Sequence, residues 1–261
     1  MADCLETTFD LRGSKLHLRR GGSGEPLLFL HGASGFPGWG EAFQTLSESF
    51  DVLAPDHLSY GLSDQPDWLD DMNDLAMSYL DFLDAMDLRG VHLVGNSLGG
   101  WLALEIAVRS CERLKSLTLV GAAGIRIKGK PIADIFMMDP VDLTRAIFVD
   151  QTYADALLGR ELTEEQVDIQ LRNRVSTARL GWQPRLFNPS LRKWLHRITV
   201  PTHVIWGDSD RIIDPAYAAE FARAIAGADV TMIEQAGHLP HVEKAEPFAK
   251  AVKRFIDLKA A

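Results

Sequence analysis

Residues 91–100 read Val-His-Leu-Val-Gly-Asn-Ser-Leu-Gly-Gly, which places a Gly-x-Ser-x-Gly motif directly after an apolar run. The run 91–94 has the pattern of a buried strand, and residues 98–109 have the pattern of a helix. This context predicts a sharp strand-to-helix turn that exposes the Ser97 hydroxyl, with glycines where side chains would collide. The N–H of Leu98 would then lie at a helix N-terminus, where it can donate to a developing oxyanion.

Short apolar segments alternate with amphipathic segments on both sides of this motif. Strand-like patterns cover residues 7–11, 15–20, 27–30, 51–54, 117–120, 202–206 and 230–233, and helix-like patterns cover 39–50, 70–86, 215–225 and 247–258. The first two strand-like segments flank a short turn, so we predict a hairpin there. The later alternation predicts an α/β fold, a mostly parallel sheet with helices on both faces.

The alternation stops at Gly121-Ala122-Ala123-Gly124 and resumes at residue 202. Residues 125–197 have helical patterns without clear strands. We therefore predict one α/β core domain, residues 1–124 and 198–261, with a helical cap inserted at residues 125–197. The aromatic and apolar residues of the insertion indicate a lid over an apolar pocket, and the alternative is that they form only its own core.

Composition argues against several functional classes. The chain has 27 Lys and Arg against 36 Asp and Glu, a formal net charge of −9, which disfavours binding to nucleic acid or to an anionic membrane. Neither Cys4 nor Cys111 lies in a motif, so we expect no disulfide framework and no catalytic thiol. The N-terminal residues lack a signal-peptide pattern and no run approaches 18 apolar residues, so we expect a cytoplasmic protein.

A serine hydroxyl is a weak nucleophile that needs a base within hydrogen-bond reach, and the base needs an acid to orient it. His238 is the best candidate base, because it follows the strand-like segment that ends near Ile233. The loops after parallel strands meet at one edge of a sheet, so His238 and Ser97 are expected at the same edge. The alternative is a surface-loop histidine without a role.

The acid is expected from the end of another strand. Asp210 is the preferred candidate, in the loop after the apolar run 204–206, with Asp208 second and Asp214 third. The alternative for each is that it only caps a helix or a turn.

A second glycine-containing loop follows the buried strand-like segment 27–30. Residues 31–35 read His-Gly-Ala-Ser-Gly, and the N–H of Ala33 is the best candidate to complete an oxyanion hole with that of Leu98. We expect His31 to brace this loop rather than to act as a base. The alternative is a glycine turn with no part in chemistry.

Taken together, these stretches resemble the α/β-hydrolase superfamily over essentially the whole chain. The resemblance is carried by His31-Gly32, by residues 56–63 (Asp-His-Leu-Ser-Tyr-Gly-Leu-Ser), 95–100 and 206–211 (Trp-Gly-Asp-Ser-Asp-Arg), and by Gly237-His238. It implies an eight-stranded sheet, a helical cap, and Ser97, Asp210 and His238 as nucleophile, acid and base, in the chain order typical of this fold.

Two kinds of serine hydrolase in this superfamily fit the motifs. The elbow Gly-Asn-Ser-x-Gly-Gly is similar to that of meta-cleavage-product hydrolases, which cleave C–C bonds in vinylogous diketones. Those enzymes usually carry a tryptophan after the catalytic histidine, where this chain has Leu239, and they place a cap arginine near the substrate carboxylate. The resemblance thus makes Asn96, Arg174 and Arg179 the candidate substrate-binding residues. Haloalkane dehalogenases and epoxide hydrolases use an aspartate nucleophile, which Ser97 excludes.

We therefore expect a carboxylesterase-like serine hydrolase that cleaves small-molecule carboxylic esters through an acyl-enzyme. The departure at Leu239 makes C–C hydrolysis of ring-fission products the alternative. A second alternative is a receptor of the same fold that binds a small ligand and turns it over slowly.

Metal and nucleotide motifs are absent from the sequence. His238 and His241 are three residues apart but have no third ligand motif, and there is no His-Glu-x-x-His, Walker loop or Gly-x-Gly-x-x-Gly. We expect no cofactor and no metal. The expected partner is an apolar or aromatic small-molecule substrate, and the chain is expected to be a monomer or a homodimer.

Overall fold

A computed structural model of the chain describes residues 4–259, whose strands form one eight-stranded sheet. The strands are β1 (Leu5–Leu11), β2 (Ser14–Gly22), β3 (Glu25–Leu30), β4 (Phe50–Pro55), β5 (Val91–Asn96), β6 (Leu114–Val120), β7 (Thr202–Gly207) and β8 (Asp229–Ile233). They lie in the order β1-β2-β4-β3-β5-β6-β7-β8. The predicted hairpin β1–β2 and the β2–β4 pair are antiparallel, and every other pair is parallel. The mostly parallel sheet predicted from the sequence is confirmed.

Helices connect the parallel strands, and two more helices follow β8. They are α1 (Glu41–Ser47), α2 (Met72–Ala85), α3 (Leu98–Arg109), α4 (Pro140–Ile147), α5 (Gln151–Leu158), α6 (Glu164–Gly181), α7 (Ala216–Ala224), α8 (Pro240–Glu243) and α9 (Ala245–Lys259), with a 3-10 helix at Leu191–Arg197. The short helix α8 is a feature that the sequence patterns did not predict. Within residues 4–259, every helix is too short or too polar to span a bilayer.

The sheet is covered on both faces, which explains its continuous apolar strands. Neighbouring side chains in β3 point to opposite faces, so Leu28 belongs to the core formed with α2, α3 and α7, whereas Phe29 belongs to the core formed with α1 and α9. A strand buried on both faces needs apolar residues at every position. The absence of alternation in residues 27–30 therefore has a direct structural cause.

The chain between β6 and β7 is helical, as its pattern predicts, and contains α4, α5, α6 and the 3-10 helix. Helix α6 begins with a capping box in which the Thr163 side chain and the Gln166 side chain each accept from the other's backbone N–H. The division into a core domain and a cap at residues 125–197 stays a prediction.

Candidate active site

The turn between β5 and α3 has the strained backbone that the sequence predicts. Ser97 has φ 54° and ψ −115°, a conformation that residues with a side chain rarely adopt. A Cβ on Gly99 would lie 2.1 Å from the carbonyl oxygen of Leu30, and one on Gly95 would lie 2.3 Å from that of Gly99. Backbone packing therefore excludes any side chain at either glycine and holds Ser97 at the carboxyl end of β5.

Three side chains from separate loops form a hydrogen-bonded series at this edge of the sheet. The Ser97 Oγ lies 2.8 Å from Nε2 of His238, and His238 Nδ1 lies 2.8 Å from Oδ2 of Asp210. The other oxygen of Asp210 accepts the N–H groups of Ile212 and Ile213 at 2.8 and 3.0 Å. Those bonds fix the carboxylate so that Oδ2 faces His238. With Nδ1 donating to Asp210, Nε2 is left to accept the Ser97 proton.

The structure separates the three candidate acids. Asp210 is buried beside His238, whereas Asp208 is exposed and accepts the hydroxyl of Ser209. Asp214 is 2.7 Å from the Lys130 ammonium, whose hydrogen bond lowers the pKa of that carboxyl. Of the three aspartates, Asp210 is the one whose carboxylate contacts His238.

The loop after β3 lies against Ser97 and is held by backbone contacts. The carbonyl oxygen of Gly32 accepts from His31 Nδ1 at 2.8 Å and from the N–H of Gly35 at 3.1 Å. The carbonyl group of Gly32 and the N–H of Ala33 belong to one trans peptide and point in opposite directions. The contacts that hold the carbonyl group therefore also fix the direction of the N–H. No hydrogen bond among the described residues takes up the N–H of Ala33 or of Leu98, so both donors are free for a ligand.

His31 has the bracing contacts that the sequence predicts for it. Its ring stacks on that of His57 at 3.7 Å, and its Nε2 accepts the N–H of His57 at 3.0 Å. His57 in turn donates Nε2–H to the carbonyl oxygen of His31 and accepts the Tyr79 hydroxyl at Nδ1. Burial lowers the pKa of His31 to about 4, although nearby Asp56 opposes the shift. Burial also lowers the pKa of His57 well below its usual value, so both rings are neutral braces near pH 7.

Helix α6 contacts the same loop through polar side chains. Thr177 donates its hydroxyl to the carbonyl oxygen of Ala33 at 2.8 Å and accepts the Tyr60 hydroxyl at 2.8 Å. Asn173 donates to the carbonyl oxygen of Ser34 at 2.9 Å. Sequence reasoning missed these residues, because a buried helix face is expected to be apolar. The spacing of Asn173, Thr177 and Leu180 places them on one side of a helix, and this spacing is the sequence signal that could have identified them.

The predicted substrate-binding residues have other contacts. Asn96 is buried and its amide donates to the carbonyl oxygens of Val120 and His238, at 3.1 and 3.4 Å. Arg179 donates to the carbonyl oxygen of Leu69. Arg174 is exposed on α6, and among the described residues no hydrogen bond or ion pair joins either arginine to the side chains around Ser97. The structure does not bring this predicted set together, and its role in substrate binding stays a prediction.

A cleft of about 220 Å³ has two arginines on its wall, and sequence reasoning did not single these out. Arg126, Phe136, Arg185 and Phe187 are among the residues that line it. Arg185 pairs through Nε with Asp134 of the same wall at 3.4 Å, whereas its Nη1 atom is buried and has no hydrogen-bond partner within the described residues. Phe187, on this wall, forms an isolated β-bridge with Gly124, in the segment that follows β6.

Comparison with known proteins agrees with the fold. Residues 27–251 match the alpha/beta hydrolase family. The chain belongs to this family. A 2-hydroxymuconate semialdehyde hydrolase of Pseudomonas sp. strain CF600 is 29% identical, over 94% of this chain and 91% of that protein. Lipase 1 of Psychrobacter immobilis is 26% identical, over 89% of this chain and 77% of that protein.

A solved structure of a bacterial membrane phospholipase A is also similar to the chain. The two superpose with a TM-score of 0.82 at 26% identity, over 97% of this chain and 86% of that one. The relatives thus include both lipases and C–C hydrolases. The chain is a hydrolase with the α/β-hydrolase fold, as its motifs predict, and the comparisons leave the bond that it cleaves open.

Proposed function

We propose that the chain hydrolyses small-molecule carboxylic esters through a serine acyl-enzyme. The observation that carries the proposal is the hydrogen-bonded series from Asp210 through His238 to Ser97, with both bonds at 2.8 Å. Such a series activates a hydroxyl group that is otherwise a poor nucleophile. The buried positions of Asp210 and His238 strengthen their interaction, since water screens it little.

Each group has one role in the proposed reaction. Ser97 Oγ attacks the ester carbonyl while His238 Nε2 takes its proton, and Asp210 stabilises the imidazolium that forms. The N–H groups of Ala33 and Leu98 donate to the oxyanion of the tetrahedral intermediate. His238 then protonates the leaving alcohol. A water molecule, deprotonated by the same Nε2, attacks the acyl-enzyme, and His238 returns that proton to Ser97 Oγ as the acid is released.

C–C hydrolysis of a dienoic ring-fission product is the second candidate function. The 2-hydroxymuconate semialdehyde hydrolase among the similar proteins supports it. The cleft also contains the guanidinium groups of Arg126 and Arg185, which are suited to binding a substrate carboxylate, although Asp134 on the same wall already pairs with Arg185. Leu239, in the position after His238, favours the ester reaction instead. The two functions use the same nucleophile and differ in the substrate that they select.

The test is a comparison of rates on short and long p-nitrophenyl esters and on a ring-fission dienoate. We expect ester turnover that depends on Ser97 and a dienoate that stays intact. Preferential consumption of the dienoate, with loss of that activity in Arg185→Ala but little loss with esters, would replace the ester proposal by C–C hydrolysis. Slow turnover of every substrate would contradict both and favour a ligand-binding role.

A further inference from the structure

Glu243, the last residue of α8, joins the turn that carries His238 to the helical insertion. Its Oε2 accepts the N–H of Gly237 at 2.7 Å, one residue before His238. Its Oε1 accepts the N–H groups of Val149 and Asp150, between α4 and α5, at 2.8 and 2.5 Å. The carboxylate is buried, so one side chain connects two segments that are about 90 residues apart.

Other contacts bring the same two segments together. The N–H of His238 itself donates to the carbonyl oxygen of Ile147 at 2.7 Å. A Cβ on Gly237 would lie 2.1 Å from that same oxygen, so the two backbones are in close contact. Arg211, next to Asp210, donates to the carbonyl oxygen of Phe148 at 2.5 Å. The corner between α4 and α5 therefore contacts the loops of both the proposed base and the proposed acid.

The three N–H groups around Glu243 require an acceptor with two oxygens. A carboxylate only accepts, whereas an amide of the same shape would turn an NH₂ group towards at least one of these donors. The other buried glutamates on described helices have arginine partners: Glu105 pairs with Arg109, and Glu220 pairs with Arg192 and Arg223. No ion pair among the described residues involves Glu243. Its hydrogen-bond partners are backbone N–H groups. Such groups stabilise a carboxylate strongly only when the backbone that carries them is fixed in position.

We propose that Glu243 is a positioning residue for His238. By binding Gly237 on one side and residues 149–150 on the other, it fixes the turn so that Nε2 of His238 stays within hydrogen-bond distance of Ser97. It also links the position of the insertion to that of the base. A displacement of about 1 Å at such a group lowers a rate by up to about 100-fold, so a remote carboxylate can affect kcat without contacting substrate. This inference rests on the proposed ester hydrolysis.

The test compares Glu243→Gln with a control, Glu220→Gln, in which another buried carboxylate loses its charge away from Ser97. We expect Glu243→Gln to lower kcat on a p-nitrophenyl ester by about 10- to 100-fold with KM within about threefold of the wild-type value. Glu220→Gln should keep the wild-type kcat, even if its melting temperature falls. Rates are divided by the concentration of folded protein, and circular dichroism measures the folded fraction.

A second comparison separates positioning from general destabilisation. In a His238→Ala background, Glu243→Gln should leave the small residual rate unchanged, because the residue through which Glu243 acts is gone. An equal loss in both backgrounds, or a wild-type kcat in the single variant, would overturn the inference. If Glu243→Gln does not fold, Glu243→Asp replaces it, since the shorter carboxylate of aspartate cannot reach both segments, and the same losses are expected.

The Ser97→Ala variant distinguishes failure of the proposed function from failure of this inference. If Ser97→Ala kept full activity, the proposed function itself would fail. An inactive Ser97→Ala with a fully active Glu243→Gln would remove only the role of Glu243.

Discussion

The Thr177 hydroxyl of α6 donates a 2.8 Å hydrogen bond to the carbonyl oxygen of Ala33. Ala33 follows β3 and carries one of the two N–H groups that we assign to the oxyanion hole. Thr177 lies in α6, between β6 and β7, so this helical segment meets the strand-end loop that would stabilise the transition state. Contacts across that junction are therefore expected to affect rate as well as stability.

Thr177→Val should lower kcat with a smaller change in KM. Valine keeps the shape of threonine but removes both the donor to Ala33 and the acceptor of the Tyr60 hydroxyl, which leaves the Ala33 carbonyl group unpaired and the loop less fixed. A loss of about 1–2 kcal/mol corresponds to about a 5- to 30-fold lower rate. Steady-state kinetics on a p-nitrophenyl ester measures it, with Thr177→Ser expected to retain the wild-type rate. Ser176→Ala, which removes a hydroxyl bound instead to Ser59, is the matched control; an equal loss of kcat there would contradict the account.

Gly99→Ala should destabilise the protein strongly. Its Cβ would lie 2.1 Å from the carbonyl oxygen of Leu30, and relieving that overlap requires movement of the backbone of β3 or α3. We expect a loss of about 3 kcal/mol in the free energy of unfolding, measured with urea. Gly40→Ala is the control, because nothing lies within 4 Å of its added methyl group and its φ is −85°. Similar losses in the two variants would contradict the steric exclusion of a side chain at Gly99.

Asp210→Asn should lower kcat by about 10³- to 10⁴-fold, because an amide no longer holds His238 in the tautomer that accepts the Ser97 proton. Asp208→Asn is the matched control, since Asp208 is exposed and contacts the Ser209 hydroxyl rather than His238. Its kcat should stay within about twofold of wild type, the range expected when no contact to the reacting groups is lost. The reverse order of effects would reassign the acid to Asp208.

His241 should make the protein less stable in mild acid. It is buried beside Phe29, Phe43 and Phe248, and burial lowers its pKa from 6.5 to about 3, with the charge of His238 adding to the shift. Below pH 6.5 the unfolded chain therefore binds a proton that the folded protein does not. The free energy of unfolding thus falls as the pH drops from 6.5 towards 3, by up to about 1.4 kcal/mol per pH unit, and this group has no effect above 6.5.

His241→Phe removes this proton linkage and the Nδ1 atom that has no hydrogen-bond partner within residues 4–259. Between pH 7.5 and pH 5, the variant should lose about 2 kcal/mol less stability than the wild type. Urea unfolding at both pH values measures the difference. His196→Gln, at an exposed histidine, should keep the wild-type dependence. Equal losses in wild type and His241→Phe would contradict the linkage.

The elbow could be predicted from sequence because its determinants are local. Gly95, Ser97 and Gly99 lie within five residues, and the strand before and the helix after them have clear periodicity. Asp210 and His238 could be predicted by topology, since loops that follow parallel strands meet at one edge of the sheet. The same rule left Asp208 and Asp214 open, because choosing among acids in one loop requires side-chain directions that a pattern does not supply.

The contacts of the insertion could not be predicted in the same way. Asn173 and Thr177 are polar residues on a buried face of α6, and an apolar periodicity does not indicate such a face. The orientation of α6 about its own axis also decides where Arg174 and Arg179 lie. That orientation is not encoded in the residue pattern, and no hydrogen bond or ion pair within residues 4–259 joins either arginine to the side chains around Ser97. Glu243 binds backbone N–H groups, of Gly237 nearby and of Val149 and Asp150 far away in sequence, and backbone groups leave no signal in residue identity.

The most direct test of the central claim is the rate of ester hydrolysis by purified Ser97→Ala beside the wild type. If Ser97 is the nucleophile and acts as a unit with His238 and Asp210, kcat should fall by about 10⁴- to 10⁶-fold. The melting temperature should stay near that of the wild type. An unchanged rate in the folded variant would contradict the assignment of Ser97 and with it the proposed acyl-enzyme mechanism.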